Sequence, residues 1–192
     1  MLSICIYVIS IIMLTFNKEG IKKRNNISST SIKRMNLELY LGNLVFVLCI
    51  FVLINIIAYF LLGDELLTKN GIIFIVNSFV FSICALSIGF LVSKFCTNKE
   101  SISGVVNIIG LGSSFLCGSF VPLSYLPAYV KSIAKVLPSY WFNYNNDLIA
   151  NITVFNFNSL RPIIFNMLII LLFALVFFII SIIYSKRKVK FG

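Results

Sequence analysis

Gly118-Ser-Phe-Val-Pro-Leu-Ser-Tyr-Leu-Pro-Ala-Tyr-Val-Lys-Ser-Ile-Ala-Lys-Val-Leu-Pro-Ser-Tyr-Trp-Phe142 sits between two long apolar segments, and its reading decides the fold. The run up to Gly118 reads as a membrane span, and the residues after Pro127 read as a short helix lying on a membrane surface. Pro122 is expected to end the span by withholding a backbone donor. Pro127 is placed to open a new helix at its first turn, and Pro138 to close it. Between them Val130, Ile133, Ala134 and Leu137 form an apolar stripe, with Lys131, Ser132 and Lys135 facing the other way. That pattern describes an interfacial amphipathic helix of about three turns. Tyr125, Tyr129, Tyr140, Tyr144 and Trp141 suit the headgroup level. The segment reads either as an aromatic belt anchoring the loop or as a lid over the end of a pathway.

Working outward, the composition places the whole chain in lipid. Of 192 residues 59% are hydrophobic and 11% charged, and the mean hydropathy is +1.02. An ordinary water-soluble domain is far less apolar. A helix needs ~20 apolar residues to cross the hydrocarbon core, and Leu44 to Leu62, Ile72 to Val92, Ser101 to Val121 and Ile163 to Tyr184 supply runs of that kind. Leu2 to Phe16 is a fifth, shorter run. The expected fold is all-α: a polytopic transmembrane bundle of about five spans with an extracellular amphipathic helix. No run contains an ionisable carboxylate, amine or guanidinium, which excludes the usual intramembrane proton relays and ion-coupling carboxylates. The absence of histidine excludes a His-based triad or metal site. The five cysteines are scattered singly and read as small apolar residues.

The net charge of +10 is distributed as a topology signal rather than a nucleic-acid surface. Lys18, Lys22, Lys23, Arg24, Lys33, Arg34, Lys94, Lys99 and the tail Lys186, Arg187, Lys188 and Lys190 fall on one side of the alternating spans. Lys69, Lys131, Lys135 and Arg161 fall on the other. Basic connectors stay cytoplasmic, so the tail is expected inside and the Pro-rich stretch outside. The first run is no signal peptide, because its positive charges come after the apolar stretch instead of preceding it. It reads as a span entering the cytoplasm with a bare outer N-terminus, and a further span upstream of it is therefore expected.

Two regions carry candidate function. Ser28 to Ser31 offer N-caps for a short helix from about Ser31 to Tyr40, with Ile32, Met35 and Leu39 on one face. Lys33 and Arg34 flank that face, so the helix suits either lipid phosphates or docking on a cytoplasmic partner. Ser78, Ser82, Ala85, Gly89 and Ser93 recur at helical steps, and Ser103, Asn107, Gly110, Ser114 and Gly118 do the same. Each set makes a stripe of small or polar residues on one helix face, suited to close helix packing or to lining a translocation path. No Walker loop, GxSxG, paired carboxylate or EF-hand pattern occurs, and Asn26 and Asn151 match the glycosylation acceptor pattern only weakly.

Gly118-Ser-Phe120-Val-Pro122-Leu-Ser-Tyr-Leu126-Pro127, with Val136-Leu137-Pro138-Ser-Tyr140 after it, resembles the permease subunit of ABC-2 type ABC transporters. That family shows Gly-x-Phe-x-Pro-hydrophobic-x-x-Leu-Pro after its fifth span, then a short helix ending in Leu-Pro and an aromatic. Lys18-Glu19-Gly20 resembles the family's Glu-Arg-Glu-x-Gly element but lacks the Thr after Gly. The resemblance implies a single permease domain over residues 1–192, supplying spans two to six of a six-span permease, with residues 122–161 as its extracellular re-entrant or interfacial segment. It implies that residues 17–40 couple to a separate ABC ATPase subunit, with Glu19, Gly20, Ile32, Lys33, Arg34, Met35 and Leu39 as coupling residues. It further implies export, a homo- or heterodimer of permeases in a bacterial plasma membrane, no cofactor, and no ATP hydrolysis by the chain itself. Two other classes stand beside it: a channel or secondary carrier, and a non-transporting membrane anchor or immunity-type protein that binds a partner.

Overall fold

The computed structural model describes residues 1–16, 20 and 32–190. Every regular element among them is helical, as expected where lipid leaves no water to satisfy backbone groups. The order is α1 (Leu2–Phe16), α2 (Ile32–Leu62), a 3-10 turn (Gly63–Leu67), α3 (Lys69–Phe95), α4 (Lys99–Leu116), a 3-10 turn (Leu123–Tyr125), α5 (Ala128–Ala134), α6 (Pro138–Ala150) and α7 (Phe157–Lys190). Local signals set several boundaries. The Thr68 hydroxyl accepts from Gly71 N at the start of α3, and the Asn98 side chain accepts from Ser101 N at the start of α4.

Among the described residues, three helices are long and apolar enough to cross a membrane: Arg34–Leu67, Lys69–Phe95 and Phe157–Ser185. They differ sharply in environment. In α3, 61% of the most apolar stretch is buried, against 6% in the α2 span and 22% in α7. The central position of α3 comes from its sequence, which offers Ser, Ala, Gly and Cys to close neighbours instead of a bulky lipid-facing surface. One side of α3 (Val80, Phe81, Cys84, Ile88, Val92) packs with Ile102 and Val106 of α4 and Ile170 and Ala174 of α7. Another side (Ala85, Leu86, Phe90) meets Cys5, Ile9 and Met13 of α1 and Val47 of α2. The short helix α1 is wedged between both groups, since its Ile6 belongs to the first. Alongside the three long helices, α1 with 15 residues and α4 with 18 are the shorter apolar members of the bundle.

Four expectations about the elements are corrected. The helix expected from Ser31 to Tyr40 is not separate: from Ile32 it runs without a break into the next span, because no Gly or Pro interrupts the sequence at a point that forces a turn. The third complete span does not run to Val121. It stops at Leu116, because Gly118 takes φ +92° and lets Ser119 N and Phe120 N both bond back to Ser114 O. This is a glycine C-cap, and it ends the helix before Pro122 is reached. The amphipathic helix after Pro127 is seven residues long, shorter than expected. Pro138 does not close it but occupies the first turn of a further helix, α6, where a missing N–H costs nothing.

Gly89 marks a close approach of α1 to α3. A Cβ there would lie 3.0 Å from Ile9 Cδ1 and 3.1 Å from Ile6 Cα, and Ser10 Oγ donates to Gly89 O at 3.2 Å. Gly104 on α4 faces open space. Gly89→Leu is expected to cost about 1–3 kcal/mol by overpacking, and Gly104→Leu to leave the thermal midpoint in detergent near that of the parent. Equal midpoints for the two variants would contradict the α1–α3 packing.

Candidate functional site

The Pro-rich stretch folds into a small cap. Cys117, Leu123, Ala134 and Tyr140 form its core, with Leu116, Leu126, Leu137 and Trp141 packed around them. Gly118 is essential here on two counts: its φ lies in the left-handed region, and a Cβ would stand 2.6 Å from Leu123 Cγ. Pro122 leads into the 3-10 turn, and Pro127 immediately precedes α5. Trp141 Nε1 donates to Lys135 O at 3.0 Å, closing the α5–α6 corner. The Asn143 amide donates to Cys117 O at 2.7 Å and to Ser119 Oγ at 2.9 Å, fastening α6 to the end of α4. Tyr125, Tyr129, Ile133 and Val136 project outward as an exposed apolar rim. The Tyr140 hydroxyl is held above its ordinary range, chiefly by burial and then by its neighbour Tyr144.

Beneath the cap lies an element that the sequence patterns did not announce. Asn166 of α7 donates to Asn145 Oδ1 at 2.8 Å, and Asn145 of α6 donates to Asn77 Oδ1 of α3 at 3.1 Å. Asn77 then donates to Asn146 Oδ1 at 2.8 Å and to Phe142 O at 3.1 Å. Asn145 also donates to Ile163 O at 3.2 Å. Asn77, Asn145 and Asn166 are all buried, so this amide ladder joins three helices through the bundle interior. Stacked rings of Phe81 and Phe142, 4.3 Å apart, reinforce the same joint. An open groove of about 390 Å³ lies beside Asn146, walled by Leu62, Leu66, Phe74 and Ile149. The signal that reveals the ladder is a lone amide in an apolar run: Asn77 and Asn166 had to find partners inside the protein.

At the opposite, basic end, Asn36 is fully buried. Its amide donates to Ser185 Oγ of α7 at 3.1 Å, and its Oδ1 accepts from Lys94 Nζ of α3 at 3.1 Å. Lys94 Nζ also stands 4.5 Å from the Phe90 ring centroid. Tyr40 OH and Ser87 Oγ lie 2.9 Å apart, and Tyr40 packs on Phe90 and Phe178. The candidate coupling residues divide around this contact. Leu39, expected on a face offered to a partner, is half-buried against the chain's own bundle, and Met35 is half-buried too. Leu37 and Leu41 are the exposed apolar residues of this part of α2. Arg34 pairs with Glu38 at 2.9 Å on the exposed side. Gly20 is helical with open space around it, whereas Glu19 and the side chains of Ile32 and Lys33 lie outside the described residues.

The two stripes have different fates. Ser78, Ser82, Ala85, Gly89 and Ser93 are all buried inside the bundle, and Ser82 and Ser93 hydroxyls return to carbonyls of their own helix. On α4 the stripe splits. Gly110 is buried against Ser3 of α1, Ser114 is half-buried with its hydroxyl on Gly110 O, and Asn107 is exposed.

Asn145→Leu removes three hydrogen bonds and strands its neighbours in an apolar interior. Each stranded group costs about 1–3 kcal/mol. A clear drop in thermal midpoint in detergent is expected, while Asn55→Leu, whose amide bonds only Phe51 O of its own helix, should shift it by no more than about 0.5 kcal/mol equivalent.

Comparison with known proteins agrees with this architecture. The family model described as ABC-2 family transporter protein matches residues 1–183. No curated protein and no solved structure matches the chain. A match across nearly the whole chain, on an all-helical bundle with three long apolar spans, establishes that this protein belongs to the ABC-2 transporter family, with a permease-type role in a membrane.

Proposed function

We propose that the chain, as one permease domain, is the transmembrane subunit of an ABC-2 type exporter, moving substrate when a separate ATPase subunit drives it. The observation that carries this reading is the continuity of α2. Its 31 residues rise roughly 46 Å at 1.5 Å each, well beyond the ~30 Å hydrocarbon core. About three turns therefore project past the core, at the end where Lys94, Lys99 and Arg34 gather. A rigid projection continuous with a span is suited to receive a push from a soluble partner. The chain carries no phosphate-cradling loop of its own.

On this reading the basic end is cytoplasmic, and residues 17–40 supply the coupling segment, with Leu37 and Leu41 offering the exposed apolar contact beside Arg34. The cap formed by Gly118 to Phe142 is extracellular. A second permease, identical or related, completes the path, and the exposed face of α4 carrying Ile108, Leu111 and Phe115 is available to it. The buried stripe of α3 then serves packing within the subunit, and the exposed part of the α4 stripe, with Asn107, is the part open to a pathway.

Two measurements test the reading. In a Cys49→Ser background, a cysteine at Ser132 should react with an impermeant thiol reagent in intact cells and one at Thr97 should not; the reverse pattern overturns the orientation. Purified alone the chain should hydrolyse no ATP, and with its ATPase partner it should form a complex. Leu37→Asp should weaken that complex by an order of magnitude or more, since burying a Leu is worth about 1.5–3 kcal/mol, while leaving the melting midpoint of the chain unchanged. Leu39→Asp should lower the midpoint instead. If both variants only destabilise the chain, the helix start serves the bundle and not a partner.

A further inference from the structure

Beyond Val47, no residue of α2 is buried for the rest of the helix. The buried contacts of the long helix with its own bundle are therefore in its first half, at Asn36, Asn43 and Val47 with Leu39 and Tyr40 beside them, and beyond Val47 it is half-buried at Ile50 and pairs the Phe51 ring with Phe79 of α3 at 5.6 Å. Among these, Asn36 bridges to two other helices by side-chain hydrogen bonds, to Lys94 of α3 and to Ser185 of α7. The ends it grips are already joined. Ser181 Oγ donates to Phe90 O at 3.4 Å, and the Phe95 and Tyr184 rings lie 4.7 Å apart. A bond from an ammonium to a buried amide is charge-assisted and stronger than a neutral one. A displacement of the start of α2 must either carry the ends of α3 and α7 along or break these bonds and strand the buried Asn36 amide.

The geometry points to Asn36 as a positioning residue for transport: the joint through which the start of α2 moves α3 and α7. The assignment rests on the coupling role proposed for the start of α2 and names the residue that transmits the motion. It makes α3 the carrier of that motion across the membrane, since the same helix holds Asn77 in the amide ladder at the far end. The chemistry predicts a graded series. Asn36→Asp keeps an oxygen for Lys94 Nζ and another to accept from the Ser185 hydroxyl, so it preserves the joint. Asn36→Leu keeps the volume and removes the hydrogen bonds to Lys94 and Ser185.

The test uses the complex with its ATPase in lipid nanodiscs. Spin labels are placed at Leu61→Cys on α2 and Phe157→Cys on α7, in the Cys49→Ser background; both positions are strongly exposed and remote from the joint. The readout is the change in label separation on adding ATP and vanadate, measured beside ATP turnover. In the parent a new distance population should appear. In Asn36→Leu, ATP turnover should persist while the shifted population falls about tenfold, within the usual range of coupling between sites. Asn36→Asp should restore it. A purely structural role would lower the melting midpoint of Asn36→Leu and leave the ATP-driven shift of the folded fraction intact, which overturns the assignment. If Asn36→Leu does not fold, the pair Ser185→Ala and Lys94→Met, removing one arm each, must together reproduce the loss; a shift like the parent's overturns the assignment equally. A parent complex with no ATP-driven shift, or a chain that binds no ATPase, overturns the coupling reading itself and this joint with it.

Discussion

A polar side chain in an apolar bundle must find its partner inside the protein, and the arrangement of α3, α6 and α7 results from that constraint. Four asparagines solve it together. Asn77, Asn145, Asn146 and Asn166 link into one continuous set of amide bonds in which each inner member both donates and accepts. The cost of stranding any one amide makes the set cooperative. It also explains why α6, a helix of only 13 residues, is held against the ends of two long helices and does not float at the membrane surface.

The same principle shapes the other end, with a different chemistry. There a lysine at the rim of α3 meets a buried amide of α2, and the ammonium is also covered by the Phe90 ring. Burying part of a charge is costly unless dipoles and rings surround it. The amide ladder and the lysine joint thus sit at opposite ends of α3. This helix is the mechanical spine of the subunit: α1 is pressed into it at Gly89, α7 lies along it, and α2 meets it at Lys94, Phe90 and Ser87 and again at Phe79. The helix thus carries polar joints at both ends, the lysine joint at one and the amide ladder at the other.

Several features were legible in the residues alone. The absence of charge from the apolar runs and the length of those runs determined a helical membrane protein. The Gly118-to-Pro127 spacing pointed to the family that the match over residues 1–183 establishes. What misled was punctuation. Pro122 and Pro138 are strong helix breakers in a linear reading, yet Gly118 ends α4 first and Pro138 begins α6, because a proline in a first turn sacrifices nothing. Likewise, Leu39 carries the periodicity of a docking face, but periodicity cannot say which neighbour a face meets, and in the bundle Leu39 is half-buried against the chain's own helices.

By itself the sequence determined class, approximate span positions and the alternation of basic connectors, since these depend on composition and local chain chemistry. Only the tertiary structure decided which amides pair, which stripe is packed and which is open, and where α2 grips the bundle. The physical reason is that side-chain hydrogen bonds and close helix approaches join residues far apart in the chain, such as Asn36 with Ser185 and Asn77 with Asn145. No local pattern encodes such a pairing; it exists only once the helices are packed.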